Sequence, residues 1–417
     1  MSRRITALSV LIFTALAACN RTPPPVVIAP PPIPTPTPTP TSAPTPTPIP
    51  EPTPTPTPFV PMKSLLTGSM FNGITFHANL ETSVGTTATA ERQTNESYTV
   101  EVNVKVKVPK AHTSLEELRK LNDKLDTLLP GLPQMLTTAK VSPEFDELYR
   151  HKVTLLRNNL NRLDGLLTRH NFYDCETILQ LESPLTKRRA LLIQADMDVD
   201  TDGSDGDRQS SVDAGSRTYQ PFTSYHWPKL TPTPNPCTPL WEKRIAETEA
   251  KMKDPKNTAL LTQLRADTSR LHAELRDLQS NSYLIGATDP FIVLPLSMFG
   301  KKKTPYTPSI GDYCVVIVGE MMMPAIIGDG GPTAKIGEAS LRICKQVSAR
   351  ASGEFRPVGE LKATYLVFPG TSDRPWSTPN LDQWKTRCDA LLQEVGGIQG
   401  ELIKWEAPES SPKAGPN

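Results

Sequence analysis

The chain has 417 residues and a formal net charge of +1, from 45 basic and 44 acidic side chains. That length accommodates one large domain or two, and the near balance of charge excludes a nucleic-acid footprint spread over the whole chain. Proline reaches 44 residues, and eighteen of them crowd between Pro23 and Pro58, a stretch that cannot build a core.

The N-terminus carries Arg3 and Arg4, then an apolar run from Ile5 to Ala18 that is too short to span a bilayer, and ends Leu16-Ala17-Ala18-Cys19. This pattern predicts a signal peptide over 1–18. The closing tetrapeptide resembles a bacterial lipobox, which implies that Cys19 is diacylated and becomes the first residue after cleavage. Two or three acyl chains anchor a protein stably where one would not. Asn20, rather than Asp, follows the cysteine, so retention at the inner membrane is not favoured. The expected location is the bacterial cell envelope, lipid-anchored at the outer membrane or cell surface. The rest of 19–61 is Thr-Pro repeats and proline clusters. At about 3.1 Å per residue in polyproline II it reaches roughly 100 Å, the dimension of a stalk.

Residues 62–172 read as a β segment followed by a helical hairpin. From Gly73 to Val108 the pattern is β: Tyr98, Val100, Val102, Val104, Val106 and Val108 alternate with polar residues, as in a strand with one apolar face. Helices are predicted at roughly 114–129 and 143–169. Thr113 with Glu116 fits a capping box, and Ser142-Pro143 places proline at a first helical position. The stripe Tyr149, Val153, Leu156, Leu160, Leu163 and Leu167 has the spacing of a core-facing helix.

A β domain is expected over 173–395. Its short apolar runs, at 177–181, 190–195, 291–294, 313–318, 321–327, 339–343 and 363–368, suggest a closed or nearly closed barrel. The fold class is therefore α+β, dominated by this barrel. An insertion at 231–283 interrupts it with two helices, Trp241 to Lys253 and Asn257 to Ser280. Leu264, Leu271 and Leu278 recur there every seven residues, so the pair is expected to be a lid, a packing buttress or a surface for self-association. Residues 396–417 form a Gly-, Pro- and Ser-rich tail expected to fray. Export permits disulfides. Setting Cys19 aside leaves Cys175, Cys237, Cys314, Cys344 and Cys388, an odd number whose pairings spacing cannot choose. None has metal-site spacing, and no zinc site is expected.

Three constellations could carry chemistry. Asp196, Asp198, Asp200, Asp202, Asp205 and Asp207 fall within twelve residues. Asp198, Asp200, Asp202 and Gly203 fit the start of a calcium loop, but its twelfth position is Gln209. Alternation puts Asp196, Asp198 and Asp200 on one strand face, a surface suited to a polycation. The second constellation is Asp329, which ends an apolar run at a Gly-Gly-Pro turn, with Glu338, which opens the next. Paired carboxylates beside a cleft are what glycoside hydrolysis requires. The third is Tyr225-His226-Trp227, whose rings could stack on sugars or simply pack. No nucleophile elbow and no phosphate loop is present.

Taken in order, Ala195 to Gly203, Gly311-Asp312-Tyr313, Pro324 to Pro332, Gly337-Glu338-Ala339-Ser340 and Tyr365 to Gly370 resemble the fungal-type chitosanases of glycoside hydrolase family 75. The resemblance covers about 175 to 370, apart from the insertion. It implies an endo-acting, inverting hydrolase of β-1,4-linked glucosamine polymers, with Asp329 as the base that activates water and Glu338 as the acid. Asp196, Asp198, Asp200, Tyr225 and Trp227 are the expected substrate-binding residues. The expected partners are a chitosan-like polysaccharide and, through the anchor, a membrane. No cofactor and no metal is called for. The family's acidic block commonly carries a cysteine where this chain has Thr201, so one disulfide is expected to be missing. The Asp-Gly-Gly-Pro turn is also similar to the Asp-Thr-Gly-Gly turn of double-psi barrels that act on peptidoglycan, so the barrel could be double-psi-like. Other readings are a non-catalytic polysaccharide- or partner-binding lipoprotein and a peptidoglycan hydrolase.

Overall fold

The computed structural model describes residues 62–69, 75–82, 98–104, 109–159, 172–212, 219–300 and 303–406. The signal peptide, Cys19, the whole proline-rich stretch and residues 407–417 lie outside them, as do Leu160, Leu163 and Leu167 of the expected helical stripe. The chain divides into two units. In the first, β1 (Met62–Ser69), β2 (Thr75–Thr82) and β3 (Tyr98–Val104) form an antiparallel sheet in that order. β3 is the segment with the two-residue alternation, while β1 precedes the point where strand was expected to begin.

The second unit opens with helices that depart from the expected hairpin. Its first arm is three short pieces, α1 (Leu115–Arg119), α2 (Leu125–Leu128) and α3 (Leu132–Leu136). Asn122 accounts for the first break: its side chain accepts from the Lys124 amide and donates to Gly319 O, pulling the chain into a turn. The capping box is formed by Ser114 and Glu117, one residue beyond the expected Thr113 and Glu116. The second arm, α4 (Pro143–Asn158), begins at the expected proline. Its buried face is Phe145, Leu148, Tyr149 and Lys152, whereas Val153 is exposed.

The strands that follow are β4 (Lys140–Val141), β5 (Cys175–Glu182), β6 (Arg189–Asp200), β7 (His226–Pro228), β8 (Asn281–Tyr283), β9 (Phe291–Pro295), β10 (Tyr313–Val318), β11 (Met321–Gly331), β12 (Glu338–Ser340) and β13 (Val358–Val367). Six of them close a barrel in the order β12-β9-β11-β10-β13-β6, with β6 pairing back onto β12. The β9/β11 and β6/β12 pairs are parallel and the other four antiparallel. Alternation along the strands sorts the core in two. Leu191, Ile193, Ala195 and Met197 of β6 join a cluster to which all six barrel strands contribute. Ala190 and Leu192 face the other way, into a cluster with α1 to α3 and the C-terminal helix α8 (Leu381–Glu394).

The run expected as strand over 339–343 is divided. Only Glu338–Ser340 is strand, because the Ser340 hydroxyl accepts from the Ile343 amide and caps α7 (Leu341–Val347). In the insertion, α5 (Thr238–Lys253) and α6 (Leu261–Ser280) pack on each other, with Leu271 and Leu278 buried beside Trp241 and Ile245. That part of the leucine repeat is taken up within the pair. Cys175, Cys237, Cys314, Cys344 and Cys388 are all buried free thiols.

Glycine is required at 337, just before Glu338. Its φ is +84°, and a Cβ there would stand 2.5 Å from Asp196 O. Gly370 has a similar φ of +76° but open space around it. Gly337→Ala should therefore cost about 3 kcal/mol or more of unfolding free energy in urea titration, and Gly370→Ala only about 1 kcal/mol. Equal losses would mean that the contact with Asp196 is not limiting.

Candidate active site

Register places the two expected acids. Asp329 on β11 is the partner of Val293 on β9, and Glu338 on β12 pairs with the same Val293 from the other side. Glu338 is also the partner of Asp198 on β6. Residues at one register level share a sheet face. Asp198, Glu338, Val293 and Asp329 therefore form a row across four strands, with one apolar residue between the two acids at its β11 end.

A bulge at Gly328 sets Asp329 in that row, since Ile327 pairs with Ile292 and Asp329 with the next residue, Val293. A Cβ at Gly328 would lie 2.6 Å from the Phe291 ring. The Gly328 carbonyl accepts from the Tyr225 amide, which brings the 219–225 loop alongside. There Ser224 donates to Asp329 Oδ1 from its amide at 2.9 Å and its hydroxyl at 2.5 Å, and the Gly330 amide adds a third donor at 2.7 Å. Burial raises the Asp329 pKa, while these three hydrogen bonds to the charged form oppose the rise.

Glu338 stands in a different environment. Burial pushes it up to about 7, the Asp198 and Asp329 charges push the same way, and Lys335 opposes them. Two carboxyl groups across one residue thus differ in kind: one is held by donors, the other is crowded by like charge. Such a pairing separates an acid from a base near neutral pH. Two more carboxyl groups feel both. Asp200 is raised well above its ordinary value, by burial first and then by Asp202, Glu338 and Asp329. Burial lifts Asp202 to about 8 despite its bond from the Gln220 amide, with Asp329 and Glu338 adding to the rise.

The aspartate run does not form the open acidic face expected of it. Asp196 is fully buried against Arg356 at 3.2 Å, so it is not available to a polymer in solvent. Arg356 also reaches Asp198 at 3.1 Å. Asp198 stays partly exposed, and Asp200 is 5 % exposed with its Oδ1 on the Asp202 amide. Asp205 bonds Arg208 and Ser282, and Asp207 bonds Thr231. The carboxylates diverge to separate partners, and among the described residues no group of three or more His, Cys, Asp or Glu could hold a metal ion.

Tyr225 and Trp227 are likewise not surface platforms. Both are buried, in a cluster with Leu284, Phe291 and Trp384. Tyr225 stacks on Trp376, whose ring also lies under the Arg374 guanidinium. The packing reading of these two aromatics holds, because the loop must follow the bulge. Sequence reasoning missed Ser224, Arg356 and Asp202 as neighbours of the acids. Only Asp202 had a local signal, its place in the aspartate run.

Residues 197–397 match the family model described as fungal chitosanase of glycosyl hydrolase group 75. The match indicates that this part of the chain is a glycoside hydrolase domain. No curated protein matches the chain.

The titration of Glu338 tests the electrostatics without substrate. Its carboxyl carbon, followed by NMR, should titrate near 7. Asp198→Asn removes a like charge from the next strand and should lower that midpoint by ~0.5–1 unit. A midpoint unmoved by the substitution would show that Asp198 exerts no field on Glu338.

Proposed function

We propose that the chain is a lipid-anchored endo-chitosanase of the bacterial cell envelope, cleaving β-1,4-linked glucosamine polymers with inversion. The observation that carries this reading is the shared register of Asp329 and Glu338 on the two strands flanking β9. Neighbouring strands lie ~4.8 Å apart, so the two backbones stand ~10 Å apart. That spacing suits the ~6.5–9.5 Å between carboxyl groups of an inverting pair better than the ~5–5.5 Å of a retaining one.

Asp329 takes a proton from water as the water oxygen attacks the anomeric carbon. Its three donors converge on Oδ1, which leaves Oδ2 to receive that proton. Glu338 gives its proton to the glycosidic oxygen as the bond to the anomeric carbon breaks. The cycle ends with Asp329 protonated and Glu338 ionised, and solvent restores both. Asp198, partly exposed in the same row, offers a carboxylate to an ammonium group of the substrate.

Because Glu338 must be protonated to act and titrates near 7, kcat/KM on chitosan should fall as pH rises through about 7. Asp329→Asn and Glu338→Gln should each lower reducing-end release by ~10²–10⁴-fold with folding unchanged. NMR of the first product should show the α-anomer. Wild-type turnover in either variant, a β-anomeric product, or release from purified murein in place of chitosan would overturn this reading.

The anchor is a separate part of the proposal, supported by the lipobox-like end of the leader. No helix among the described residues is long and apolar enough to cross a membrane. Expressed with its leader in a bacterium, the protein should partition into the detergent phase, and Cys19→Ala should move it to the aqueous phase. Equal partitioning of the two would refute lipidation.

A further inference from the structure

The buried face of α4 contains a lysine where its spacing calls for an apolar residue. Phe145, Leu148 and Tyr149 precede Lys152 on that face, and Lys152 is only 1 % exposed. Burying an ammonium costs several kcal/mol unless it is paired and hydrogen-bonded. Lys152 Nζ lies 2.8 Å from Asp174 Oδ2 and donates to Ala334 O, also at 2.8 Å. Asp174, fully buried before β5, accepts the Ile336 amide on that same Oδ2 at 3.0 Å. The Asp174 carbonyl accepts from the Asp196 amide, and the Tyr149 hydroxyl donates to Cys175 O. Helix, β5 and β6 are thus tied at one point.

The two groups held there, a carbonyl at 334 and an amide at 336, both belong to the six-residue connection between the end of β11 at Gly331 and Glu338. Pro332, Thr333 and Lys335 of that connection are exposed, and Ile336 is its one buried side chain. Asp329 lies just before it and Glu338 just after it. An apolar pair in place of Lys152 and Asp174 could match their contribution to stability, but it could not hold a carbonyl and an amide two residues apart. Both clamp residues lie outside the 197–397 segment matched by the family model.

We propose that Lys152 and Asp174 are positioning residues: the ion pair fixes the 332–337 turn and with it the placement of Glu338 relative to Asp329. The inference rests on the reading of these two acids as the reacting groups. The segment that precedes the glycoside hydrolase match thereby acts in catalysis without touching substrate.

The test uses the full chain with Lys152→Met, Lys152→Arg and the double variant Lys152→Met/Asp174→Leu. The first leaves a buried carboxyl without its cation and could fail to fold. The double variant removes both charges and is expected to keep the wild-type unfolding midpoint. It should nevertheless lose ~10²-fold in kcat on chitosan with KM within about twofold of wild type. The Glu338 NMR titration should shift and the Ile336 amide should exchange faster, and neither readout needs substrate. Lys152→Arg, which keeps the charge but replaces the compact ammonium with a planar fork, should recover kcat only in part. A folded double variant with wild-type kcat, Glu338 midpoint and Ile336 exchange would overturn the proposal, as would a double variant that cannot fold while Lys152→Arg has wild-type kcat. Turnover by Glu338→Gln would instead remove the acid assignment on which the clamp depends, a failure seen with Lys152 and Asp174 intact.

Discussion

The site depends on a three-residue strand. β12 is wedged between β6 and β9, parallel to one and antiparallel to the other, and it closes the barrel there. Without it Glu338 would have no register, and the row from Asp198 to Asp329 would not exist. So short a strand carries little stability of its own. It is held from both ends: by the positive φ of Gly337 against the Asp196 carbonyl, and by the Ser340 hydroxyl, which accepts from the Phe291 and Ile343 amides.

Environment, not residue type, makes the two acids differ. Asp329 and Glu338 are both carboxyl groups near strand ends, and both are partly buried. Three donors on one oxygen favour the charged form of Asp329, and two like charges at the same register level disfavour that of Glu338. Lys335 opposes the second effect, while Arg356 pairs with Asp196 and Asp198 on β6. The row of acids is thus continuous with an ion-pair network that reaches Asp196 on β6.

Much of this was legible in the residues. The six barrel strands follow from short apolar runs, and Asp329 and Glu338 stand out because glycines flank them at the ends of two such runs. What was not legible is whatever depends on distant partners. Ser224 acts on a residue 105 positions away, and its place beside the aromatic motif gives no sign of that partner. Lys152 reads as a solvated helix residue until its partner, 22 positions on, is seen beside it in the core. Period-two spacing placed Asp196, Asp198 and Asp200 on one face, but it could not say that Arg356 would cover the first of them. Tyr225 and Trp227 were misjudged for a related reason: an aromatic dyad around a histidine looks the same whether its rings are bare or packed, and here a loop tied to the Gly328 bulge turns them inward.

The four crowded carboxyl groups also alter the protein as an electrolyte. A formal charge of +1 assumes that every acid is ionised at pH 7. Asp202, titrating at about 8, is then mostly neutral, Glu338 is about half neutral, and Asp200 is shifted the same way. These groups therefore carry less negative charge in the folded protein than in the unfolded chain at that pH. Any cation that settles among these groups must displace protons from them, so its uptake is tied to acidification of the surrounding solution.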